Sequence, residues 1–512
     1  MNVIRSSLIY SLFTSISRVF GFLRDIIIAN FLGTGVIADI FFVAFRLPNT
    51  FRRIFSEGAL NSAFVPIYTK LIKDNLRHES KKFSGSIFLI FLVASSLVVL
   101  IIEVFMPSFV AILAPGFTND NDKFNELVAV SRIIFPFLIL ISISSICSSI
   151  LNSHNKFALS AALPIILNIT LIIALITAAY TAADFLTFLS WSVIVAGLLQ
   201  IAFLIIALAR EKIFFFFTKK IYTSYVKRFI KLFTASFFSS GLLQINILIG
   251  TIIASYESGA ISYLYYADRI YQLPLALIGI AIGVAMLPSI SSKIRSESFE
   301  KIHDTIEQTL VYSLLLAVPA SVGIFALSEQ IIAVLFERGE FNENSSLFTS
   351  KALKFYSLGL VAFILMKIYT PIFFAYENAR PTLYITATNL VINTTLSIVL
   401  FVNVGFIGIP IATSLSAWIS VLLMNYSLYK NNYYQISRGI IFPGAIIIIV
   451  SFIMYLYLIF LENYLEILFN FLQGYEIIFL LFSVLSSILL YFILISFYKP
   501  FKYSEIKKIL QK

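Results

Sequence analysis

The sequence predicts an all-α integral membrane protein of about fourteen transmembrane helices: two pseudo-symmetric six-helix lobes followed by two C-terminal helices. Three observations carry that expectation. Of 512 residues, 59% are hydrophobic and only 12% charged, against roughly half and a quarter in a soluble domain, and mean hydropathy is +0.94. The polar breaks between apolar runs are alternately basic and acidic. The two halves of the chain also resemble each other at an offset near 223 residues.

The apolar runs lie at 6–29, 38–66, 83–105, 127–151, 157–180, 185–209, 225–250, 260–290, 306–327, 350–376, 381–401, 406–429, 440–461 and 475–498. Each approaches or exceeds the ~20 residues a helix needs to cross the hydrocarbon. The first has no small-residue cleavage site after it and reads as a retained helix, not a signal peptide. One set of loops is basic: Lys70 to Lys82, Arg210 to Lys231, Lys293 to Lys301, Lys430 with Arg438, and Lys499 to Lys512. The other holds Asp120, Asp122, Glu126, Asp184, Glu257, Glu337, Glu340, Glu343, Glu462 and Glu466. The positive-inside rule then puts both termini in the cytoplasm, and an even helix count agrees. The net charge of +11 is accounted for by these loops, so no nucleic-acid partner is implied.

The internal repeat is read from short matches. Gly116-Phe117-Thr118-Asn119-Asp120-Asn121 corresponds to Gly339-Glu340-Phe341-Asn342-Glu343-Asn344, and Asn155 to Asn378. The second helix of each half carries a Leu-Pro pair, Leu47-Pro48 and Leu273-Pro274, with a second proline beyond it, Pro66 and Pro288. The expected division is a lobe at 1–214, a lobe at 215–436 and a two-helix appendage at 437–512. Parallel repeats about a central cavity recur in transporters.

Composition excludes several chemistries. Cys147 is the single cysteine and lies in an apolar run, which leaves no disulfide framework and no Cys metal site. His78, His154 and His303 all fall in polar connections, so no histidine cluster or histidine-based catalysis is expected. The acidic outer loops are too short to house a glycan polymerase, and a drug exporter would favour an acidic, aromatic cavity for cationic drugs.

Charge inside the membrane is the more pointed signal. Arg18, Arg24 and Asp25 lie in the first apolar run; Asp39, Arg46, Arg52, Arg53 and Glu57 lie in the second; Asp268-Arg269 follows Tyr265-Tyr266 in the eighth; Lys367 lies in the tenth. A charge at the bilayer centre costs about 2.5–3.5 kcal/mol on insertion scales, so such residues face a polar interior or one another. Ser7, Ser11, Thr14, Arg18, Gly21 and Asp25 recur on one helical face, as do Asp39, Arg46 and Arg53. Pro48 should kink the second helix. Arginine presents a planar fork to phosphate oxygens and keeps its proton when buried, which suits a diphosphate. The alternative is that these arginines only pair with Asp25, Asp39, Glu57 and Asp268, and that Arg52 and Arg53 snorkel to headgroups. The last two helices carry almost no polar side chains and suit a hydrocarbon tail.

These residues also carry a family resemblance. Ser17-Arg18-Val19-Phe20-Gly21-Phe22-Leu23-Arg24-Asp25 is one match, and Asp39-Ile40-Phe41-Phe42-Val43-Ala44-Phe45-Arg46-Leu47-Pro48-Asn49 with Arg52-Arg53-Ile54-Phe55-Ser56-Glu57-Gly58-Ala59 another. Ala114-Pro115-Gly116-Phe117, Tyr265-Tyr266-Ala267-Asp268-Arg269 and Leu335-Phe336-Glu337-Arg338-Gly339-Glu340-Phe341 follow in order. Together they resemble the MurJ (MviN) lipid II flippases of the multidrug/oligosaccharidyl-lipid/polysaccharide exporter superfamily. The resemblance implies a transporter of the bacterial inner membrane that moves undecaprenyl-diphosphate-linked peptidoglycan precursor to the outer leaflet. A flippase for another lipid-linked oligosaccharide is the alternative. It implies substrate contacts at Arg18, Arg24, Asp25, Asp39, Arg52 and Arg269, contact with membrane lipids, and peptidoglycan polymerases as downstream partners. Some members bind sodium through acidic groups. The corresponding helices here offer Asn246, Asn389 and Asn393, with Thr413 beside them. Amide oxygens ligate a hard cation more weakly than carboxylates, so sodium or the membrane potential are both candidates for coupling.

Overall fold

The computed structural model of the chain describes residues 3–54, 59–216, 221–280, 282, 286, 290, 291, 294, 299–469 and 476–498. Among these residues the secondary structure is helical, with no strand. The chain forms two compact units, Met1–Ser262 with Arg338–Phe341, and Tyr263–Glu337 with Asn342–Lys512.

The first unit contains α1 (Val3–Leu32), α2 (Val36–Arg52), α3 (Leu60–Lys73), α4 (Arg77–Val104), α5 (Met106–Leu113), α6 (Asn121–Ile134), α7 (Phe137–Ser153), α8 (Phe157–Ala161), α9 (Leu163–Thr181), α10 (Phe185–Arg210) and α11 (Ser224–Ala254). The division falls within the first turn of α12 (Ala260–Pro274). The second unit continues with α13 (Phe299–Ala326), α14 (Ser328–Phe336), α15 (Glu343–Ala375), α16 (Arg380–Val404), α17 (Gly408–Lys430), α18 (Arg438–Phe469) and α19 (Glu476–Ser496). By sequence α11 opens the second repeat, yet it packs on α3, α4 and α5 within the first unit.

Nine helical stretches among the described residues are long and apolar enough to cross a membrane. One of them, Arg380–Lys430, joins α16 and α17 and so covers two of the expected spans. The first, second, seventh and eighth expected spans are not among the nine.

Both Leu-Pro pairs lie inside helices, Pro48 in α2 and Pro274 at the end of α12. Each is followed by π-helical turns, at Arg53–Ile54 and at Leu275–Ile280. Proline lacks the N–H that its helix needs, and a widened turn is one way the backbone absorbs the loss. Pro66 lies within α3; Pro288 and Glu57 lie outside the described residues.

The repeated glycine motifs make equivalent contacts, all within the first unit. The Gly116 N–H donates to Ser255 Oγ at 3.0 Å, just beyond α11. The Glu340 N–H donates to the Asn30 carbonyl at 2.9 Å, in the last turn of α1. A Cβ on Gly116 would lie 2.2 Å from the Ser255 carbonyl oxygen, and one on Gly339 2.3 Å from that of Asn30. Gly339 is also left-handed, at φ +58°. A helix starts after each loop, capped by Asp120, which accepts from the Asp122 and Lys123 N–H groups, and by Asn342, which accepts from Ser345.

Each unit has its own apolar core. In the first, Phe64 and Tyr68 of α3 pack with Phe83 and Ile87 of α4, Ile146 and Ile150 of α7, and Phe229 of α11. In the second, Val311 and Leu315 of α13 pack with Ile447, Val450 and Met454 of α18 and with Tyr491 of α19. The Tyr491 hydroxyl donates to the Leu315 carbonyl at 2.9 Å. The opposite faces of the last two helices expose Phe452, Leu456, Leu481, Phe482 and Leu485.

Replacing Gly339 with Ala forces a backbone clash at a left-handed residue and should cost about 1–3 kcal/mol. Gly444→Ala, on α18 with open space around its Cα, should be neutral or stabilising. Thermal unfolding of the two variants in detergent checks this; equal midpoints would mean the glycine contact is not a tight one.

Candidate substrate site

Two charged networks lie inside the first unit. On α1, Arg24 and Asp25 are adjacent and nearly inaccessible, with 6% and 2% of their surfaces exposed. Asp25 Oδ1 accepts from Arg24 Nε at 3.0 Å and from Nη2 at 2.5 Å. Arg24 Nη1 donates to Asn168 Oδ1 on α9 at 2.9 Å, and Asn168 Nδ2 donates in turn to the Ser17 carbonyl at 3.2 Å. All three guanidinium nitrogens therefore have protein acceptors. Arg18, six residues earlier on α1, is exposed and has no hydrogen bond or ion pair among the described residues.

The second network centres on Asp39, fully buried in the first turn of α2. Its carboxylate accepts from the Gly259 N–H at 2.8 Å, the Ser262 N–H at 3.0 Å and the Ser262 hydroxyl at 2.7 Å. These donors sit at the start of α12, where free N–H groups and the helix dipole favour an anion. Lys123 of α6 lies 3.8 Å from the same carboxylate, and its ammonium stands 3.6 Å from the centre of the Phe117 ring. A buried carboxylate thus ties α2, α6 and the first turn of α12 together.

The other expected residues are less enclosed. Arg46 is half-buried and donates to the Thr251 hydroxyl on α11. Arg52 Nε donates to Asn49 Oδ1 at 3.0 Å, one turn back on its own helix. Arg52 and Arg53 are both half-buried. In the second unit, Arg269 stacks over the Tyr265 ring at 4.7 Å and donates from Nη2 to the Tyr265 hydroxyl at 2.8 Å. Asp268 accepts from Gln272, one turn further along the same helix. Lys367 is exposed on α15.

The candidate cation ligands are divided between the units. Asn246 is half-buried on α11. Asn389 of α16 donates to the Ser416 carbonyl at 2.9 Å and to Ser420 Oγ at 2.8 Å, tying α16 to α17. Thr413 donates to Ile409 in its own helix at 2.8 Å, and Asn393 is buried on α16. The Asn389 amide nitrogen is used between two helices and the Thr413 hydroxyl hydrogen within its own, and side-chain oxygens are the atoms a hard cation would use.

The sequence marks the charges but not their neutral partners. Asn168 stands alone among Ile165, Ile166, Leu167 and Ile169, and a lone amide in an apolar run must find a hydrogen-bonding partner. Lys123 is a base in an otherwise acidic loop. Ser262 and Gly259 carried no comparable mark, because their donors to Asp39 are mostly backbone.

The family profile described as "Lipid II flippase MurJ" matches residues 28–482. A protein of Rhizobium tropici named "Probable lipid II flippase MurJ" is 38% identical over 421 residues, covering 81% of this chain and 79% of its own length. One of Rickettsia prowazekii with the same name is 35% identical over 472 residues, covering 92% of each. Among solved structures, "Lipid II flippase MurJ, inward closed conformation" superposes with a TM-score of 0.81 at 27% identity, over 96% of this chain and 98% of that one. A multidrug resistance MATE family transporter of the MOP superfamily shares the fold, with a TM-score of 0.69 at 12% identity over 83% of this chain.

Asp39→Asn leaves Lys123 without its counter-charge and weakens three hydrogen bonds, at a cost of about 3–5 kcal/mol. Arg18→Ala should leave stability within about 0.5 kcal/mol of the parent. The thermal midpoints of the two purified variants decide the matter, and parity between them would sink the pairing argument.

Proposed function

The chain belongs to the lipid II flippase MurJ family, and from that membership we propose how it works. It is a multi-pass transporter, not an enzyme, and it moves lipid II across the bacterial inner membrane for peptidoglycan synthesis. No bond forms or breaks. The physical task is to carry a charged diphosphate and its sugars past about 30 Å of hydrocarbon, which requires partners for the charge throughout.

The observation that carries this reading is the buried Arg24–Asp25–Asn168 group in α1 and α9. A diphosphate offers the same acceptors as Asp25 and Asn168 with more charge, and competes with them for the guanidinium fork. Arg18, exposed on the same helix, meets the headgroup first. Arg52, and Arg269 in the second unit, are proposed as further phosphate ligands. Asp39 acts differently. Its bonds to the first turn of α12 hold α2 in place, and alternating access requires them to be exchanged when the headgroup is released outside. The prenyl tail stays in lipid along the exposed apolar faces of α18 and α19.

In this reading both termini are cytoplasmic, as the basic loops indicate. With amides at Asn246, Asn389 and Asn393 in place of carboxylates, sodium is held weakly, and the membrane potential is the stronger driving force, at about 2.3 kcal/mol per charge per 100 mV. Peptidoglycan polymerases that consume the flipped substrate are the expected functional partners.

Arg24→Ala and Arg269→Ala should each abolish lipid II translocation in a leaflet-accessibility assay while the protein still inserts at normal abundance. Near-normal flipping by both variants would exclude the arginines from transport. Native mass spectrometry with lipid II, undecaprenyl phosphate and phosphatidylglycerol in competition separates a specific headgroup site from general lipid contact.

A further inference from the structure

The second unit contains a cavity of about 430 Å³ that the transport reading does not use. It is open to solvent on one side and lined by α14, the first two turns of α15, the later part of α18 and the start of α19, and it carries five carboxylates, the exposed Glu329, Glu337, Glu343 and Glu476 and the half-buried Glu462. Among the described residues none of the five is ion-paired. Glu462 accepts a hydrogen bond from Gln330 Nε2, which leaves the Gln330 Oε1 oxygen buried with no donor facing it. Ser346 also lines the cavity, 7% exposed, and its buried hydroxyl has no hydrogen-bond partner. Ala333, Val334, Leu347 and Phe479 supply an apolar stretch of wall.

The inventory is one-sided. Almost every open polar group is an acceptor, so the complementary ligand brings N–H donors and positive charge. A bare metal ion does not fit. The described carboxylates and imidazole that converge closely enough to share one ion are those of His303, Asp304 and Glu307, elsewhere in the unit. The volume lies in the range of small-molecule sites, and the apolar wall suits methylene groups between charges. We propose that this cavity binds an extended organic polyammonium ion of the polyamine class, with its ammonium groups on the glutamates and its carbon chain against Phe479 and Leu347. The acidic loops around it belong to the set that the charge alternation places outside the cytoplasm, so the ligand comes from that side.

Isothermal titration of the full-length protein in detergent with spermidine tests this, with magnesium chloride at matched ionic strength as the control. One saturable site is expected for spermidine and none for magnesium. Glu329→Gln/Glu476→Gln should weaken it about tenfold or more, since each ammonium–carboxylate hydrogen bond is charge-assisted. Ser346→Ala removes only an unpartnered hydroxyl, so it should keep the parent's thermal midpoint and still weaken spermidine about fivefold. Absence of a saturable site, unchanged affinity in both variants, or displacement by magnesium at equal ionic strength would each overturn the proposal. None of these readouts depends on lipid transport.

Discussion

A charge held in a low-dielectric interior must have its partner within hydrogen-bond reach, and the first unit is organised around that requirement. Taking an ion out of water costs several kcal/mol even after the protein relaxes. Arg24 and Asp25 meet the cost jointly, with Asn168 of α9 supplying the remaining acceptor. Asp39 meets it with the N-terminal turn of α12 and with Lys123 of α6. In both cases at least one partner comes from a different helix, so the charge fixes helix positions as well as its own. That makes these networks suited to a transporter.

The glycine motifs apply the same logic to the backbone. At Gly116 and at Gly339 a loop approaches the end of a helix more closely than any side chain would allow. The two contacts involve equivalent positions of the repeat: one loop docks beyond α11 and the other on the last turn of α1. A duplicated sequence therefore yields a duplicated contact. The Leu-Pro pairs, each followed by π-helical turns, are a second such pair.

The lipid-facing parts obey a simpler rule. α18 and α19 bury one stripe on α13 through Val450, Met454 and Tyr491 and leave the rest apolar and exposed. In hydrocarbon that exposure costs nothing, and it is the surface a prenyl chain would accept. The acidic pocket lined by α14, α15, α18 and α19 has the opposite character from these apolar faces, so the second unit presents two chemically distinct surfaces.

Much of this was legible in the chain alone. Composition, run length and loop charge determine a polytopic helical protein, because crossing hydrocarbon leaves the backbone few alternatives. The arginines and aspartates announced themselves, because a charge in an apolar run is costly enough to require a function. The sequence also showed that Arg24 and Asp25 were adjacent, but not that Asn168, 144 positions away, completes the group. Nor could it show that Asp39 rests on two backbone N–H groups, since backbone donors leave no trace in residue identity. The grouping of α11 with the first unit was equally hidden: the repeat divides the chain by descent, whereas packing of Phe229 against Phe83 and Phe91 divides it by contact. Local chemistry determines which residues need partners, and only the tertiary structure decides which partners they get, because those partners come from helices far apart in the chain.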